Sequence, residues 1–148
     1  MKENEWRSLI VKELAPLLAF PVETGGVRSG IPDICCLCGW IELKLADTTV
    51  GYDGNVLRVD VGNAQRIWMK NWRTSGGPGW FLTRVQIERL RDSSYWMLHD
   101  GAWGAEYLGR VSKKKALDAA LVVTSSHVPE YSRLYKAMTT ITKKEIKT

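Results

Sequence analysis

Histidine and phenylalanine each occur only twice in these 148 residues, and the only three cysteines, Cys35, Cys36 and Cys38, fall within four positions. Cysteines packed into one short segment cannot tie distant parts of a chain together, so a disulfide scaffold is excluded and a reducing compartment fits. His99 and His127 lie far along the chain from the cysteines, which leaves neither a Cys/His zinc pattern nor a Ser-His triad any local support. No apolar run approaches the roughly 20 residues of a membrane span. The opening MKENEWRS carries charges in place of a signal-peptide apolar segment,. A soluble intracellular protein is expected, cytoplasmic or nucleoid-associated, and a viral source is compatible. Gly76, Gly77 and Gly79 are not followed by Lys-Ser or Lys-Thr, so a nucleotide-binding P-loop is excluded too. Internal repeats and low-complexity stretches are lacking.

What is present is enough apolar material, 45% hydrophobic against 25% charged residues, to bury a core,. A chain of this length fits one domain, because two cores would each fall near the size where burial becomes marginal. The formal net charge is +5, and all of the excess is C-terminal: residues 1–112 hold 13 basic and 13 acidic side chains, residues 113–148 hold 8 and 3. A basic C-terminal segment from about 113 suits a polyanion, and equally suits a solvated helix face.

Apolar spacing predicts an amphipathic helix over 4–19 through Trp6, Leu9, Ile10, Leu14, Leu17 and Leu18, ended by Pro21. Val22–Thr24 reads as a short strand, and GGVRSG as a loop whose glycines bring backbone close to another group. Ile34–Cys38 and Trp40–Leu45 read as antiparallel strands turning at Gly39, followed by an exposed loop over 46–57. Asn63 is the expected cap of a helix over 64–75. Trp80–Val85, Tyr95–His99 and Ala102–Tyr107 read as strands, the last two joined through Asp100-Gly101. A short helix over 113–121 and an amphipathic one over 130–146 complete the pattern. The fold class is α/β, with a mixed central sheet against which the first helix and the Gln65 helix pack.

The hairpin carries the chemistry. Residues two apart on a strand share a face, so Glu42 and Lys44 project together while Ile41, Leu43 and Leu45 take the other side. A turn near Gly39 brings the Asp33 carboxylate beside Glu42. A Glu and a Lys two apart on a strand are commonly solvent-facing partners of little consequence; a Pro-Asp before an apolar strand, with a glycine-rich loop ahead of it, changes the weighing. Two carboxylates side by side repel unless a cation intervenes, and a few hard oxygen ligands suit Mg2+, with Mn2+ as a substitute. A lysine beside them can orient a water or offset the charge that builds during phosphodiester hydrolysis.

The stretch GIPDICCLCGWIELK resembles the signature of the PD-(D/E)XK nuclease superfamily. With Gln65 in NAQRIW it is most similar to the VRR-NUC nucleases and the archaeal-type Holliday junction resolvases. The resemblance spans about residues 5–85. It implies a restriction-endonuclease-like fold, with Asp33, Glu42 and the Leu43 carbonyl as metal ligands, Lys44 as the water-orienting or charge-stabilising group, and Gln65 in support. An acid on the first helix often completes such sites; Glu5 is the candidate, with Glu3 and Glu13 as rivals. One departure is the long polar segment between Lys44 and Gln65, which puts the place of Gln65 in question. The implied activity is metal-dependent cleavage of branched DNA, a four-way junction above all, which a C2 homodimer could cut at two symmetric points. A flap- or nick-processing nuclease, a restriction-type endonuclease and a non-catalytic DNA-binding protein on the same fold remain alternatives.

For DNA contact, Arg28 and Ser29 in the glycine-rich loop lie just ahead of Asp33, where a phosphate could approach backbone. Arg66, Lys70 and Arg73 form a basic stripe on one helix face, beside Trp68 and Trp72, which read as core packing. Cys35 and Cys38 have CxxC spacing; packed thiols are the expected role.

Overall fold

The computed structural model describes residues 3–22, 30–47, 57–86, 94–125 and 130–147. Helix α1 (Glu3–Glu13) opens the chain, then a 3-10 turn (Ala15–Leu17) leads into strand β1 (Phe20–Pro21). Strands β2 (Ile34–Cys36) and β3 (Gly39–Asp47) form the expected hairpin. Helix α2 (Asn63–Thr74) crosses to β4 (Gly79–Gln86), and β5 (Ser94–Asp100) returns beside it. Helices α3 (Gly101–Tyr107) and α4 (Lys113–Ala119), strand β6 (Val122–Thr124) and helix α5 (Tyr131–Lys147) follow.

The six strands lie in sequence order in one sheet. All neighbours pair antiparallel except β3 and β4, which run parallel. A parallel pair needs a crossover, and α2 supplies it. The sheet is therefore mixed and the protein α/β, as the alternation of apolar runs predicts. No helix among the described residues is long and apolar enough to cross a membrane.

Two apolar layers hold the helices to the sheet. On one face Ile10 and Leu14 of α1 and Leu134 and Met138 of α5 pack with Ile34, Ile41, Leu43, Trp80, Leu82 and Leu98. On the other, Met69 of α2, Ala105 and Leu108 from α3 and its C-terminal end, and Ala116 of α4 pack with Ala46, Phe81, Val85 and Met97. Alternation along β3 thus sends Ile41 and Leu43 to the α1 face and leaves Glu42 and Lys44 on the α2 face.

Several boundaries differ from the sequence reading. The first helix stops at Glu13 because Pro16 lacks an N–H and disfavours helical backbone before it,. Leu17 still reaches the core, whereas Leu18 turns outward with a φ of 54° and is exposed. The short strand falls at Phe20–Pro21; residues 23 and 24 lie outside the described residues. Strand β3 runs on to Asp47, and of the expected loop 48–56 lie outside the described residues. Gly62, not Asn63, caps α2, and the Gln65 Oε1 accepts its N–H at 3.0 Å.

The segment 102–107, read as a strand, is helical. Asp100 accepts the Ala102 N–H at 3.0 Å and starts the helix, and Gly101, Gly104, Ala105 and Leu108 recur at helical spacing as its buried face,. The small residues let α3 lie against the sheet: a Cβ on Gly104 would overlap the Phe81 ring. The Asp-Gly pair is a helix start here, although the same dipeptide starts hairpins elsewhere. Strand β6, absent from the sequence reading, extends the sheet beyond β5.

Candidate active site

Asp33 immediately precedes β2, and the antiparallel register Ile34↔Ile41 sets it opposite Glu42. The ladder stops there, and the Asp33 side chain replaces it: Oδ2 accepts the Leu43 N–H at 2.8 Å, while the Asp33 carbonyl accepts the Val22 N–H at 2.8 Å. In an antiparallel strand the N–H and C=O of one residue point to the same flank. The Leu43 carbonyl therefore faces the flank on which the Asp33 carboxylate stands.

Glu42 is 3% exposed. Its Oε1 lies 3.2 Å from Lys44 Nζ and accepts the Gln65 Nε2 at 2.5 Å. Lys44 Nζ in turn donates to Gln65 Oε1 at 2.7 Å. Gln65 thus joins the carboxylate, the ammonium and the N–H of Gly62 through one amide. The long polar segment after Lys44 does not carry this helix away from the site: Val59 bridges Ala46, which returns the chain to β3 before α2 begins.

Two further contacts hold α2 in place. Trp40 of β3 meets Trp68 and Trp72 edge-on at 5.4 and 6.4 Å, and these two stack on each other at 5.6 Å. The tryptophans of α2 are packing residues, as the sequence suggests. Gly30, with a φ of 90°, lies so close to the Ala64 carbonyl that a Cβ would overlap it. That is a close approach for which Gly30 is needed,.

Glu42, Lys44 and Gln65 therefore meet in one cluster, and the Asp33 carboxylate bonds the backbone of Leu43 next to it. Glu5 is exposed on α1, the helix that packs on the opposite face of the sheet. Arg28 and Ser29 lie outside the described residues. The basic stripe is largely engaged in holding the fold. Arg66 donates to the carbonyls of Ala105 at 3.0 Å and Leu108 at 2.8 Å, where it caps the C-terminal end of α3,. Arg73 bonds the Gly77 carbonyl at 3.0 Å and pairs with Asp100 at 3.0 Å, and only Lys70 of the three is exposed. Burial, with Arg110 nearby, lowers the pKa of Arg66. Cys36 and Cys38 are buried free thiols and Cys35 is half-buried; a hydrogen bond with the Cys38 sulfur, together with burial, pushes the Cys36 thiol up.

Among the described residues no group of three or more His, Cys, Asp or Glu side chains gathers that could hold a metal. The donor set still fits Mg2+, an ion that is commonly held by one or two carboxylates and keeps several waters. Asp33, Glu42 and the Leu43 carbonyl are all hard oxygen donors on neighbouring backbone positions, with no competing sulfur or imidazole in the cluster. No family model matches the chain, and neither a curated protein nor a solved structure matches it.

Proposed function

We propose that this protein is a Mg2+-dependent endodeoxyribonuclease that hydrolyses phosphodiester bonds. The observation that carries the reading is the amide of Gln65 tying Glu42 to Lys44 on the strand flank that Asp33 closes. A buried carboxylate and a half-buried ammonium sharing one helix-borne amide form a preorganised charged site, and such sites stabilise charge that develops in a transition state.

Asp33, Glu42 and the Leu43 carbonyl would hold the ion, and Mn2+ would substitute. When bound, the ion supplies Lewis-acid charge to the phosphate oxygens and makes a water easier to deprotonate. Lys44 orients the attacking water and offsets the negative charge that builds as its oxygen bonds to phosphorus and the ester oxygen departs. Gln65 holds Lys44 and Glu42 in register, and α2 in turn is held by its tryptophans.

Branched DNA is the substrate that the resemblance to the VRR-NUC nucleases and archaeal-type resolvases supports, with a four-way junction cut by a homodimer as the leading form. Flap or nick processing by the same residues is the alternative within that resemblance. Labelled four-way junction, flap, nicked and linear duplexes, incubated with Mg2+, Mn2+ or EDTA beside an Asp33→Ala variant, test it. Paired symmetric cuts confined to the junction, dependent on metal and lost in the variant, are expected. Cleavage confined to flaps or nicks would move the assignment to that alternative. No cleavage with either metal would reject the enzyme, and DNA binding that survived would leave a non-catalytic binder. Sedimentation of the free protein tests the dimer.

A further inference from the structure

Beyond Lys44 the edge of β3 is continued outward by two further chain segments, and both carry exposed cations. Val59 bridges Ala46 antiparallel and so lays residues 57–59 beside the strand. The second segment lies outside the first. The Leu57 N–H donates to the Val111 carbonyl at 3.1 Å, and the Val59 carbonyl lies so close to Gly109, whose φ is 84°, that a Cβ there would overlap it. Alternate residues of an extended segment bond toward the same flank, so these two contacts bracket Arg58 and Arg110 as facing central residues. Both arginines are exposed, while Leu57 and Val59 are buried.

Residues 109–115, GRVSKKK, contain four cations and no acid. Lys113, Lys114 and Lys115 open α4 and are exposed, and Ala116 behind them is buried in the layer with Val59, Met69 and Phe81. The run therefore lies on the sheet face that carries Glu42 and Lys44. Lys113 is engaged locally, with Nζ 5.7 Å from the Tyr95 ring, whereas Arg110 keeps its guanidinium near the surface by donating to the Glu106 carbonyl at 3.1 Å. After burial, the charge of Arg110 is the main cause that lowers the pKa of Arg66, a sign of crowded cations. Asp60, Glu106 and Asp118 are three acids beside Arg58, Arg110 and the three lysines, so positive charge prevails. A groove of about 390 Å3, lined by Leu45, Arg58, Val59, Asp60 and Gly109, joins the residue after Lys44 to this surface.

Like charges set opposite one another repel, and a polyanion laid across them offsets that cost. Strand neighbours lie about 4.8 Å apart, which puts the Arg110 backbone roughly 10 Å outward from β3. Duplex DNA carries one negative charge per about 1.7 Å of its axis. A phosphate at Lys44 thus has neighbours over both segments.

We propose that Arg58, Arg110, Lys114 and Lys115 hold the phosphate backbone of a DNA duplex arm beside the bond that is cut. The ligand rests on the nuclease reading. Contacts of this kind position a duplex without reading its sequence, and they leave the metal and the reacting water to Asp33, Glu42 and Lys44.

The test is the binding of labelled linear duplex and four-way junction to the full-length protein, followed by fluorescence anisotropy across a salt series in EDTA, where no cleavage intervenes. Each phosphate contact contributes about 0.9 to the slope of log affinity against log salt. Lys114→Gln combined with Lys115→Gln is expected to lower that slope by about 2, and Arg110→Gln by about 1. Arg133→Gln combined with Lys136→Gln removes the same charge from α5, on the other face of the sheet, and is expected to leave the slope as it was. Tm is measured for every variant; exposed lysines away from packing are tolerated, so the lysine pair decides the matter if Arg110→Gln does not fold. A slope unchanged in the lysine pair, an equal fall in the α5 pair, or a parent that binds neither DNA would overturn the surface. A parent that shows the expected pattern yet cuts nothing with Mg2+ or Mn2+ keeps the surface and rejects the nuclease, and the reverse pattern does the opposite.

Discussion

Oδ2 of Asp33 closes the strand flank through the Leu43 N–H, and under the proposed function the same carboxylate would also bind metal. Asn offers an acceptor of the same shape without the charge, which separates the two. Asp33→Asn is expected to keep Tm near that of the parent, while DNA cleavage falls by about 100-fold or more, comparable to loss of a preorganised transition-state group; thermal unfolding beside a gel assay checks both. Gln65 offers a complementary probe. Gln65→Glu puts a second carboxylate 2.5 Å from Glu42 Oε1, in place of the Nε2 donor, and neighbouring carboxylates repel unless a cation lies between them. Its Tm in EDTA should drop, and Mg2+ should restore it by more than it raises the parent's. A Tm indifferent to Mg2+ would count against a metal at Glu42. Asp33 was legible in the sequence from its place ahead of the hairpin, and Gln65 through the resemblance. That one amide spans Glu42, Lys44 and Gly62 was not, because nothing in a linear pattern fixes where a helix residue 21 positions after Lys44 comes to rest.

At the scale of elements, α2 determines the geometry of the site. Met69, 1% exposed, anchors it in the layer with Phe81 and Met97, and the Trp40, Trp68 and Trp72 group fixes it over β3. Met69→Ala is expected to cost about 2–5 kcal/mol in chemical denaturation and to lower activity in the surviving folded fraction, because Gln65 moves with the helix. The strand expected over 102–107 fails for a local reason: Asp100, taken with Gly101 as a hairpin turn, caps a helix instead, and small residues at 101, 104 and 105 form its buried face. Removing that cap with Asp100→Ala should cost about 1 kcal/mol and also release Arg73, its ion-pair partner. The spacing of Arg66, Lys70 and Arg73 puts them along one helix, and two of them make contacts within the fold. Those partners were invisible, since the carbonyls of Ala105 and Leu108 that hold Arg66 lie on an element whose type the sequence misstated.

For the whole molecule, one buried group ties stability to pH. His99 is fully buried, stacks on Trp103 at 4.6 Å and has Nε2 2.7 Å from the Ala116 carbonyl, so that nitrogen carries the proton and the ring is neutral. Burial depresses its pKa below the ordinary value of 6.5, against a smaller opposing effect of the Ala116 hydrogen bond. Unfolded chains take up the proton near 6.5, whereas the folded protein resists it. The stabilisation from His99 is therefore whole above that pH and is lost as pH falls through 6.5 toward the depressed value. Tm measured from pH 8 to 5 should decline more steeply in the parent than in His99→Gln. The sequence by itself determined the α/β class, the hairpin and the shared strand face of Glu42 and Lys44, because strand alternation and apolar periodicity are properties of neighbours along the chain; Gln65 was singled out by the resemblance alone. Only the tertiary structure decided that Gln65 bridges Glu42 and Lys44, that two arginines of the stripe hold α3 and Asp100, and that Arg84 lies by the rings of Trp6 and Trp96. Those outcomes depend on which faces of distant elements meet, and pairwise packing across the sheet is not written in local spacing.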